Sequence, residues 1–143
     1  PKVFFDARGY FYEAWKQDEF EQNVGKINFV QDNESKSGYG ILRGLHYQEG
    51  EYSQAKLVRV IKGKVIDVAV DLRKNSPTFG FLVLSEEAIF TYKVDNIYAP
   101  QHEASIRWND ETLGIVWPID PDKVITSAKD LAGKSFKEAK LFE

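Results

Sequence analysis

The sequence predicts a mainly β protein, an antiparallel jelly roll or barrel with a few short helices. Short runs of β-branched and aromatic residues recur along the chain, and turn-forming residues separate them. Strands do not alternate with long amphipathic helices, and no internal repeat is present. With 143 residues, 43% of them hydrophobic and 14% aromatic, the chain is long enough to bury a core in one domain.

The N-terminal third predicts strands around one helix. Residues 3–5 and 10–15 are aromatic-rich and flank a turn at Asp6-Ala7-Arg8-Gly9, which is typical of two short strands. Residues 16–25 are the first helical candidate. Residues 27–33 follow as a strand with apolar residues at alternate positions that ends in a polar cluster.

The middle of the chain predicts two hairpins. Residues 56–62 and 64–72 are rich in valine and lie on either side of Gly63, so a turn between paired strands is expected there. Residues 81–84 and 88–93 predict a second pair of strands.

The remaining segments carry weaker signals. Residues 95–108 are irregular and rich in turns, and residues 127–142 do not distinguish helix from loop. His102 lies in a polar turn, and its imidazole is expected to be solvated. We expect three aromatic residues to pack in the interior: Tyr98, Trp108 and Trp117.

Composition narrows the functional classes. The net charge of −3 comes from interspersed signs, so no basic stripe for nucleic acid is present. Without cysteine the chain has neither disulfides nor thiolate metal ligands, and no apolar run is long enough to span a membrane. These features predict a cytoplasmic protein. Because methionine is also absent, we expect the printed sequence to be less than the full translation product.

One of the two histidines lies in the most informative stretch, Arg43-Gly44-Leu45-His46-Tyr47-Gln48. With Arg43 and Lys56 as neighbours, the imidazole of His46 is expected to stay neutral and able to accept a proton. Lys56 could then meet a developing oxyanion. The alternative is a structural histidine held by hydrogen bonds. Polar residues within an apolar strand pattern favour a polar cavity.

Several motifs occur together in one order: RGLHYQ, QAKLVRV, DVAVDLRKNSPTFG, FLVLSEEA and IRWNDETLGI. From Pro1 to about Asp130 the chain thereby resembles the dTDP-4-dehydrorhamnose 3,5-epimerases. The resemblance implies a cupin-like jelly roll, a homodimer, and a reaction without a cofactor. That reaction converts dTDP-4-dehydro-6-deoxy-D-glucose to dTDP-4-dehydro-L-rhamnose by inverting C3 and C5, a step in dTDP-L-rhamnose biosynthesis.

The resemblance also implies roles for individual residues. His46 would be the base, Lys56 would face the C4 oxygen, and Tyr92 would return a proton from the opposite face. Asp130 would orient His46. The residues expected to bind the nucleotide sugar are Arg8, Glu13, Gln31, Asp32, Asn33, Arg43, Gln48, Glu103 and Lys129. Ordinary surface polarity is the alternative for these, and Tyr92 taken alone is a strand aromatic.

The chain departs from the family pattern at the junction of Gly80 and Phe81, where two strands ending in a Pro-x-Gly-Phe-Ala-His-Gly motif are absent. We therefore expect a single jelly-roll epimerase domain over residues 1–143 with a segment missing between Gly80 and Phe81. Either the deletion is real, or the molecule contains residues that the printed sequence lacks; intact motifs on both sides favour the second. Ile97 also replaces one of two adjacent family aromatics.

These departures leave other functions open. The alternatives are an epimerase of one centre, a ketoisomerase acting on another nucleotide sugar, and an impaired nucleotide-sugar binding protein. A metal-dependent cupin oxygenase is disfavoured, because the two histidines, His46 and His102, are far apart and lack ligand spacing.

Overall fold

A computed structural model describes residues 1–80, 82–86 and 89–143. The described residues form nine strands: β1 (Phe4–Asp6), β2 (Gly9–Phe11), β3 (Gln31–Ser35), β4 (His46–Gln48), β5 (Lys56–Val60), β6 (Ile66–Val70), β7 (Leu82–Glu86), β8 (Phe90–Val94) and β9 (Glu103–Ser105). Two short α-helices are α1 (Gln17–Asn23) and α2 (Ala128–Leu131). Single 3-10 turns occupy Gly50–Tyr52, Pro100–His102, Pro121–Lys123 and Phe136–Glu138.

The strands pair in four antiparallel sheets with the orders β1-β2, β3-β8-β5, β4-β9 and β6-β7. This architecture confirms the predicted mainly β, antiparallel class. The helix predicted over residues 16–25 is confirmed as α1. The strand predicted over residues 27–33 begins four residues and ends two residues further on, as β3, because pairing with β8 selects residues 31–35.

Both predicted hairpins are wrong in their pairing. Strand β5 pairs with β8, and β6 pairs with β7, so strands adjacent in the chain lie in different sheets. The segment around Gly63 therefore connects two different sheets. Phe81, Glu87 and Ala88 of the second predicted pair lie outside the described residues.

Two loops cross between the same two sheets at one end of the molecule. Residues 49–55 lead from β4 to β5, and residues 95–102 lead from β8 back to β9. Gln48 pairs with Glu103, and Lys56 pairs with Val94, so each loop begins and ends beside the other. The interior beside these loops contains Val94 and Ala99, which are 1% and 2% exposed.

The C-terminal segment folds back on β9. Ser127 caps α2 by accepting a hydrogen bond from the Asp130 amide at 3.1 Å. Beyond the helix, the backbone amide of Lys134 donates to the Ser105 carbonyl at 3.0 Å. A Cβ on Gly133 would lie 3.0 Å from the Arg107 nitrogen, so a glycine permits this close approach. The helix is thereby held against the sheet that carries β4.

The hairpin of β1 and β2 has an exposed apolar surface. Phe5 and Tyr10 are 79% and 69% exposed, and their rings lie 6.3 Å apart. Among the described residues, these two strands pair only with each other. No helix of the described chain is long and apolar enough to cross a membrane.

Candidate active site

One wall of the candidate site is a face of the β3-β8-β5 sheet. Asn33 lies opposite Tyr92, and Gln31 lies opposite Val94, which in turn lies opposite Lys56. Residues opposite each other in an antiparallel pair share a face, as do residues two apart on one strand. The register therefore directs all five side chains to the same side of the sheet.

The facing wall comes from β4 and β9. His46 and Gln48 are two residues apart on β4 and share a face, and Glu103 pairs with Gln48 from β9. Both walls line one cleft of about 290 Å³. The cleft thus places imidazole, ammonium, phenol and carboxylate groups around one space. Its volume is close to the lower limit of small-molecule sites, which span roughly 300–1,000 Å³.

His46 lines the cleft and contacts Asp130, which lies behind it and outside the cleft lining. The ring nitrogen Nε2 contacts Oδ1 of Asp130, and Asp130 is only 3% exposed. The second carboxylate oxygen accepts from the Thr126 hydroxyl at 3.3 Å. Nε2 is therefore the ring nitrogen that the carboxylate engages. A carboxylate in this position fixes the ring and stabilises the charge that the ring gains.

The charge on Asp130 is maintained despite burial. Burial raises the pKa of the carboxyl, but hydrogen bonds from His46, Ser127 and Thr126 outweigh it, so the pKa lies below its usual value. The direct charged partner of His46 is thus the carboxylate that the motif resemblance assigns to orient it, whereas the predicted neighbour Arg43 donates to Ser37. Strand pairing and a distant helix, rather than chain neighbours, determine that partner.

Lys56 and Tyr92 lie beside each other on the opposite wall. The Lys56 ammonium is 5.9 Å from the centre of the Tyr92 ring. Lys56 is reached by solvent through the cleft, yet the surrounding protein removes part of its hydration. This desolvation holds the pKa of Lys56 below its usual value, against the opposing charges of Glu103 and Asp67.

A second polar cluster lies at the β9 side of the cleft. The Glu103 carboxylate accepts a hydrogen bond from the Tyr98 hydroxyl at 2.6 Å and contacts the Lys129 ammonium through the same oxygen. Burial raises the pKa of Glu103, but the bonds from Lys129 and Tyr98 more than offset it, and the pKa is lowered overall. Glu103 therefore remains ionised in the cleft.

The structure brings some predicted binding residues to the cleft and leaves others outside it. Gln31, Asn33 and Glu103 line the cleft. Asp32 lies between the first two and points to the other face of the sheet, where it pairs with Lys93 at 2.5 Å. Strand alternation, which is readable from sequence, predicts this opposite orientation.

The cationic and N-terminal candidates also lie away from the cleft lining. Arg43 is exposed, and its Nε donates to the Ser37 hydroxyl at 3.2 Å. Arg8 belongs to the exposed β1–β2 hairpin and pairs with Asp6. Glu13 is exposed just beyond that hairpin. Lys129 reaches the site through its contact with Glu103.

Gln48 has a different environment from the one predicted. It is 6% exposed, and its amide group donates to the carbonyls of Tyr52 and Ile97 and accepts from the Ala99 amide. Both N–H donors are thus used by the backbone. Gln48 lines the cleft, but it cannot donate to a ligand without losing a bond that it already makes.

The sequence interpretation missed Tyr98 and misjudged His102. Tyr98 is 53% exposed and lines the cleft, so it is not an interior packing residue. The sequence does contain a signal for Tyr98: the family pattern has two adjacent aromatics here, and with Ile97 in place of one, Tyr98 is the aromatic that remains. The His102 ring stacks on Tyr52, with centroids 4.3 Å apart, rather than standing in solvent. The packing of Trp108, which is 8% exposed, is confirmed.

The described residues contain no group of three histidine, cysteine, aspartate or glutamate side chains arranged to hold a metal ion. His46 and Asp130 form a pair, and the remaining charged groups of the cleft are Lys56 and Glu103 with its partner Lys129. This donor set suits proton transfer to and from carbon and stabilisation of an oxyanion.

Comparison with known proteins identifies close relatives. The model of the dTDP-4-dehydrorhamnose 3,5-epimerase family matches residues 1–80 and 79–138. The dTDP-4-dehydrorhamnose 3,5-epimerase of Salmonella typhimurium is 47% identical over 100% of this chain and 91% of its own length. The crystal structure of that enzyme from Elizabethkingia anophelis is 43% identical with a TM-score of 0.89, covering 96% of this chain and 89% of its own.

A further solved relative carries a ligand. The dTDP-6-deoxy-D-glucose-3,5-epimerase of Legionella pneumophila, in complex with dTDP-4-keto-L-rhamnose, is 37% identical with a TM-score of 0.88, covering 100% of this chain and 90% of its own. The structures show a cupin-like fold, and the family match together with the curated relatives makes the protein a carbohydrate epimerase. The chain belongs to the dTDP-4-dehydrorhamnose 3,5-epimerase family. The family and the enzyme class that the motifs predict are confirmed.

The alignments also show a difference in length. The alignment with the Salmonella enzyme spans 168 residues, at least 25 more than the 143 residues of this chain. The two segments of the family match meet at residues 79 and 80, immediately before the junction where the sequence departs from the family pattern.

Proposed function

We propose that this protein inverts C3 and C5 of dTDP-4-dehydro-6-deoxy-D-glucose, giving dTDP-4-dehydro-L-rhamnose for dTDP-L-rhamnose biosynthesis. One observation carries the proposal: the His46–Asp130 pair and the Lys56–Tyr92 pair stand on opposite walls of one cleft. Inversion at a carbon requires that a proton leave one face and return to the other. Opposed proton-transfer groups meet that requirement.

In the first half of the reaction, His46 takes the proton from the carbon beside the C4 ketone. The C–H bond breaks, and its electron pair forms an enolate whose charge rests on the C4 oxygen. Lys56 stabilises that oxygen with its ammonium group, an interaction that strengthens as the charge develops. Asp130 holds the imidazole in place and stabilises the imidazolium that forms.

In the second half, Tyr92 donates its hydroxyl proton to the same carbon from the opposite face. The phenolate then regains a proton from solvent, and His46 releases the proton that it took. The same two steps at the second carbon complete the epimerisation. No electrons are gained or lost overall, so the residues alone balance the reaction.

The nucleotide end of the substrate is assigned to the polar groups around the β9 side of the cleft. Glu103, Lys129 and Tyr98 form one hydrogen-bonded cluster, and Gln31 and Asn33 present amides from the opposing sheet. An aromatic face with adjacent donors and acceptors suits a nucleoside.

We propose that the reaction takes place in the cytoplasm. A protein without cysteine forms no disulfides, so it does not require an oxidising compartment.

We also infer that the protein acts as a homodimer. The β1–β2 hairpin exposes Phe4, Phe5, Tyr10 and Phe11, and a concavity of about 480 Å³ lies among them. An apolar surface of this kind is stabilised when another chain covers it. A second copy would also supply Arg8 and Glu13 to a neighbouring cleft, which accounts for their position outside the cleft of their own chain.

We propose that the active enzyme is a single domain that contains a further segment between Gly80 and Phe81. The length of the alignment and the break in the family match support this. Intact mass spectrometry of the purified protein tests it, and a mass at least 25 residues above 16.4 kDa is expected. A mass that agrees with the printed sequence would refute the segment and would favour an impaired, binding-only protein.

The test of the reaction is solvent exchange. The protein is incubated with dTDP-4-dehydro-6-deoxy-D-glucose in deuterium oxide, and deuterium at C3 and C5 is measured by NMR. Deuterium at both carbons together with the L-rhamno product is the expected result. Exchange at one carbon only would instead identify a single-centre epimerase, and a product whose ketone has moved from C4 to C3 would identify a ketoisomerase.

A further inference from the structure

The two loops that cross between the catalytic walls are joined by their side chains. Five side chain to backbone hydrogen bonds connect residues 48–55 with residues 95–99. The side chains that make them are Gln48, Gln54, Asp95 and Asn96, which we call the loop clamp. Neither the proposed chemistry nor the proposed nucleotide contacts use these four side chains.

Gln48 is the buried centre of the loop clamp. Its amide nitrogen donates to the Tyr52 carbonyl at 2.7 Å and to the Ile97 carbonyl at 3.1 Å, while its oxygen accepts from the Ala99 amide at 2.8 Å. Ala99 is itself 2% exposed. A buried side chain with all these partners satisfied holds its neighbours in one arrangement, because any movement leaves polar groups unpaired.

The other members extend the connection to the far ends of both loops. Gln54 donates to the Asn96 carbonyl at 2.7 Å, and Asn96 donates in return to the Glu51 carbonyl at 2.7 Å. The Ala55 amide donates to the Asp95 carboxylate at 2.8 Å. Ala55 directly precedes Lys56 in the chain, so the clamp ends beside a catalytic side chain.

The clamp lies between the elements that carry the proton-transfer groups. On β4, His46 is two residues before Gln48, and on β8, Tyr92 is three residues before Asp95. One loop connects β4 to β5 and the other connects β8 to β9, so each loop joins the His46 wall to the Tyr92 wall. Joining the loops therefore limits how far the His46 wall and the Tyr92 wall can move relative to each other.

We propose that the loop clamp is a positioning device that sets the separation between the base wall and the acid wall of the cleft. The proposal rests on the proposed function, since it concerns the distance between His46 and Tyr92. A proton removed by His46 can return to its original face with His46 alone. Only inversion requires both walls at the correct separation, so the clamp bears on inversion more than on exchange.

Gln48→Met tests the proposal, because methionine has a similar length but makes none of the three hydrogen bonds. Exchange without inversion is measured as deuterium in recovered substrate, and inversion as deuterium in product. A misplacement of reacting groups by about 1 Å costs on the order of 100-fold in rate, so the ratio of exchange to inversion is expected to rise by about tenfold or more. Gln101→Met is the matched control, since Gln101 is exposed and outside the clamp.

A clamp that merely stabilises the fold would lower exchange and inversion in proportion to the folded fraction. An unchanged ratio in Gln48→Met would therefore overturn the proposal. If Gln48→Met does not fold, Gln54→Met carries the test, because it removes one partly buried bond; a raised ratio supports the clamp and an unchanged one refutes it. Wild-type protein without exchange or inversion at either carbon would refute the proposed function itself, which keeps the two failures distinct.

Discussion

His46 and Asp130 are 84 positions apart in the chain, yet Nε2 of one contacts Oδ1 of the other. Strand β4 supplies the imidazole, and the first turn of α2 supplies the carboxylate. The contact depends on the packing of α2 against β9, where Gly133 allows the backbone of residues 106 and 107 to approach closely.

Replacing Asp130 with asparagine should lower kcat by about 10- to 100-fold, because the ring loses the carboxylate that orients it and stabilises its charge. The KM is expected to change little, since Asp130 faces His46 rather than the cleft. Steady-state kinetics measure both. Asp122→Asn removes an exposed carboxylate and should leave kcat at the wild-type value. A kcat for Asp130→Asn within twofold of wild type would contradict the pairing role.

Tyr92→Phe should impair inversion more than exchange, because it removes the acid and leaves the base intact. Deuterium should still enter recovered substrate, while the L-rhamno product falls on the order of 100-fold. The control is Tyr39→Phe, which alters a tyrosine that is 80% exposed. Full epimerisation by Tyr92→Phe would show that another group returns the proton.

Lys56→Met should slow enolate formation by about 100- to 1,000-fold, as expected for loss of an oxyanion stabiliser. The inhibition constant of dTDP should change much less, because the contact strengthens only in the transition state. Equal losses of rate and affinity would argue against this role. Lys26→Met, at an exposed position, provides the control for loss of a positive charge.

The pH dependence of the wild type provides a second readout for Lys56. Because desolvation lowers its pKa, its ammonium is lost at a lower pH than that of an ordinary lysine. The wild-type rate should therefore fall on the alkaline side of the pH–rate profile as this proton leaves. The same limb should be absent from the profile of Lys56→Met.

Asp110 should contribute to stability in a pH-dependent way. It is 8% exposed and accepts hydrogen bonds from the amides of Thr112, Leu113 and Phe136. Burial raises its pKa, but these bonds outweigh it, so the folded-state pKa is lowered. Its contribution is therefore complete above the unfolded-state pKa of about 4 and is lost as the pH falls through the lower folded-state value.

Asp110→Asn should lower the free energy of unfolding by about 1–3 kcal/mol at pH 7. The difference between variant and wild type should shrink as the pH is lowered below about 4. Urea denaturation at several pH values measures this. Glu111→Gln, at the exposed neighbouring position, is the control. A constant difference across the pH range would contradict the assigned linkage.

Phe5→Ser should weaken the inferred dimer, because it removes a ring that is 79% exposed on the hairpin. Sedimentation velocity at several protein concentrations measures the change in the monomer fraction. Tyr39→Ser provides a match, since Tyr39 is 80% exposed but lies outside the hairpin. Dimers that persist unchanged in Phe5→Ser would place the interface elsewhere.

Local patterns identify most strands but do not select their partners. The runs predicted over residues 56–62, 64–72 and 88–93 overlap β5, β6 and β8. Among the described residues, however, β5 and β6 lie in different sheets, as do β7 and β8, so neither predicted pair of chain neighbours forms. Alternation of side chains reports that one face is buried, but it does not report which other strand lies alongside.

The candidate site shows the same division between local and tertiary information. Motif resemblance predicts His46, Lys56 and Tyr92, and all three line one cleft. The resemblance predicts a binding role for Asp32 together with Gln31 and Asn33, but alternation along the strand places Asp32 on the other face. The resemblance predicts that Gln48 binds the ligand, whereas its side chain is held by backbone groups of Ile97 and Ala99, 49 and 51 residues away.

The sequence alone determined the class, the family and the residue types of the chemistry, because motif order and strand periodicity are properties of the chain itself. Motif resemblance also assigns Asp130 to orient His46, and the structure adds that the contact is made through Nε2. The tertiary structure alone shows that Tyr98 and Glu103 share one hydrogen-bonded cluster and that Gln48 joins two loops. Those contacts join residues that are distant in the chain or separated by irregular loops. These contacts form because the whole fold must bury apolar surface and give each buried polar group a partner. No local sequence pattern specifies which partner that will be.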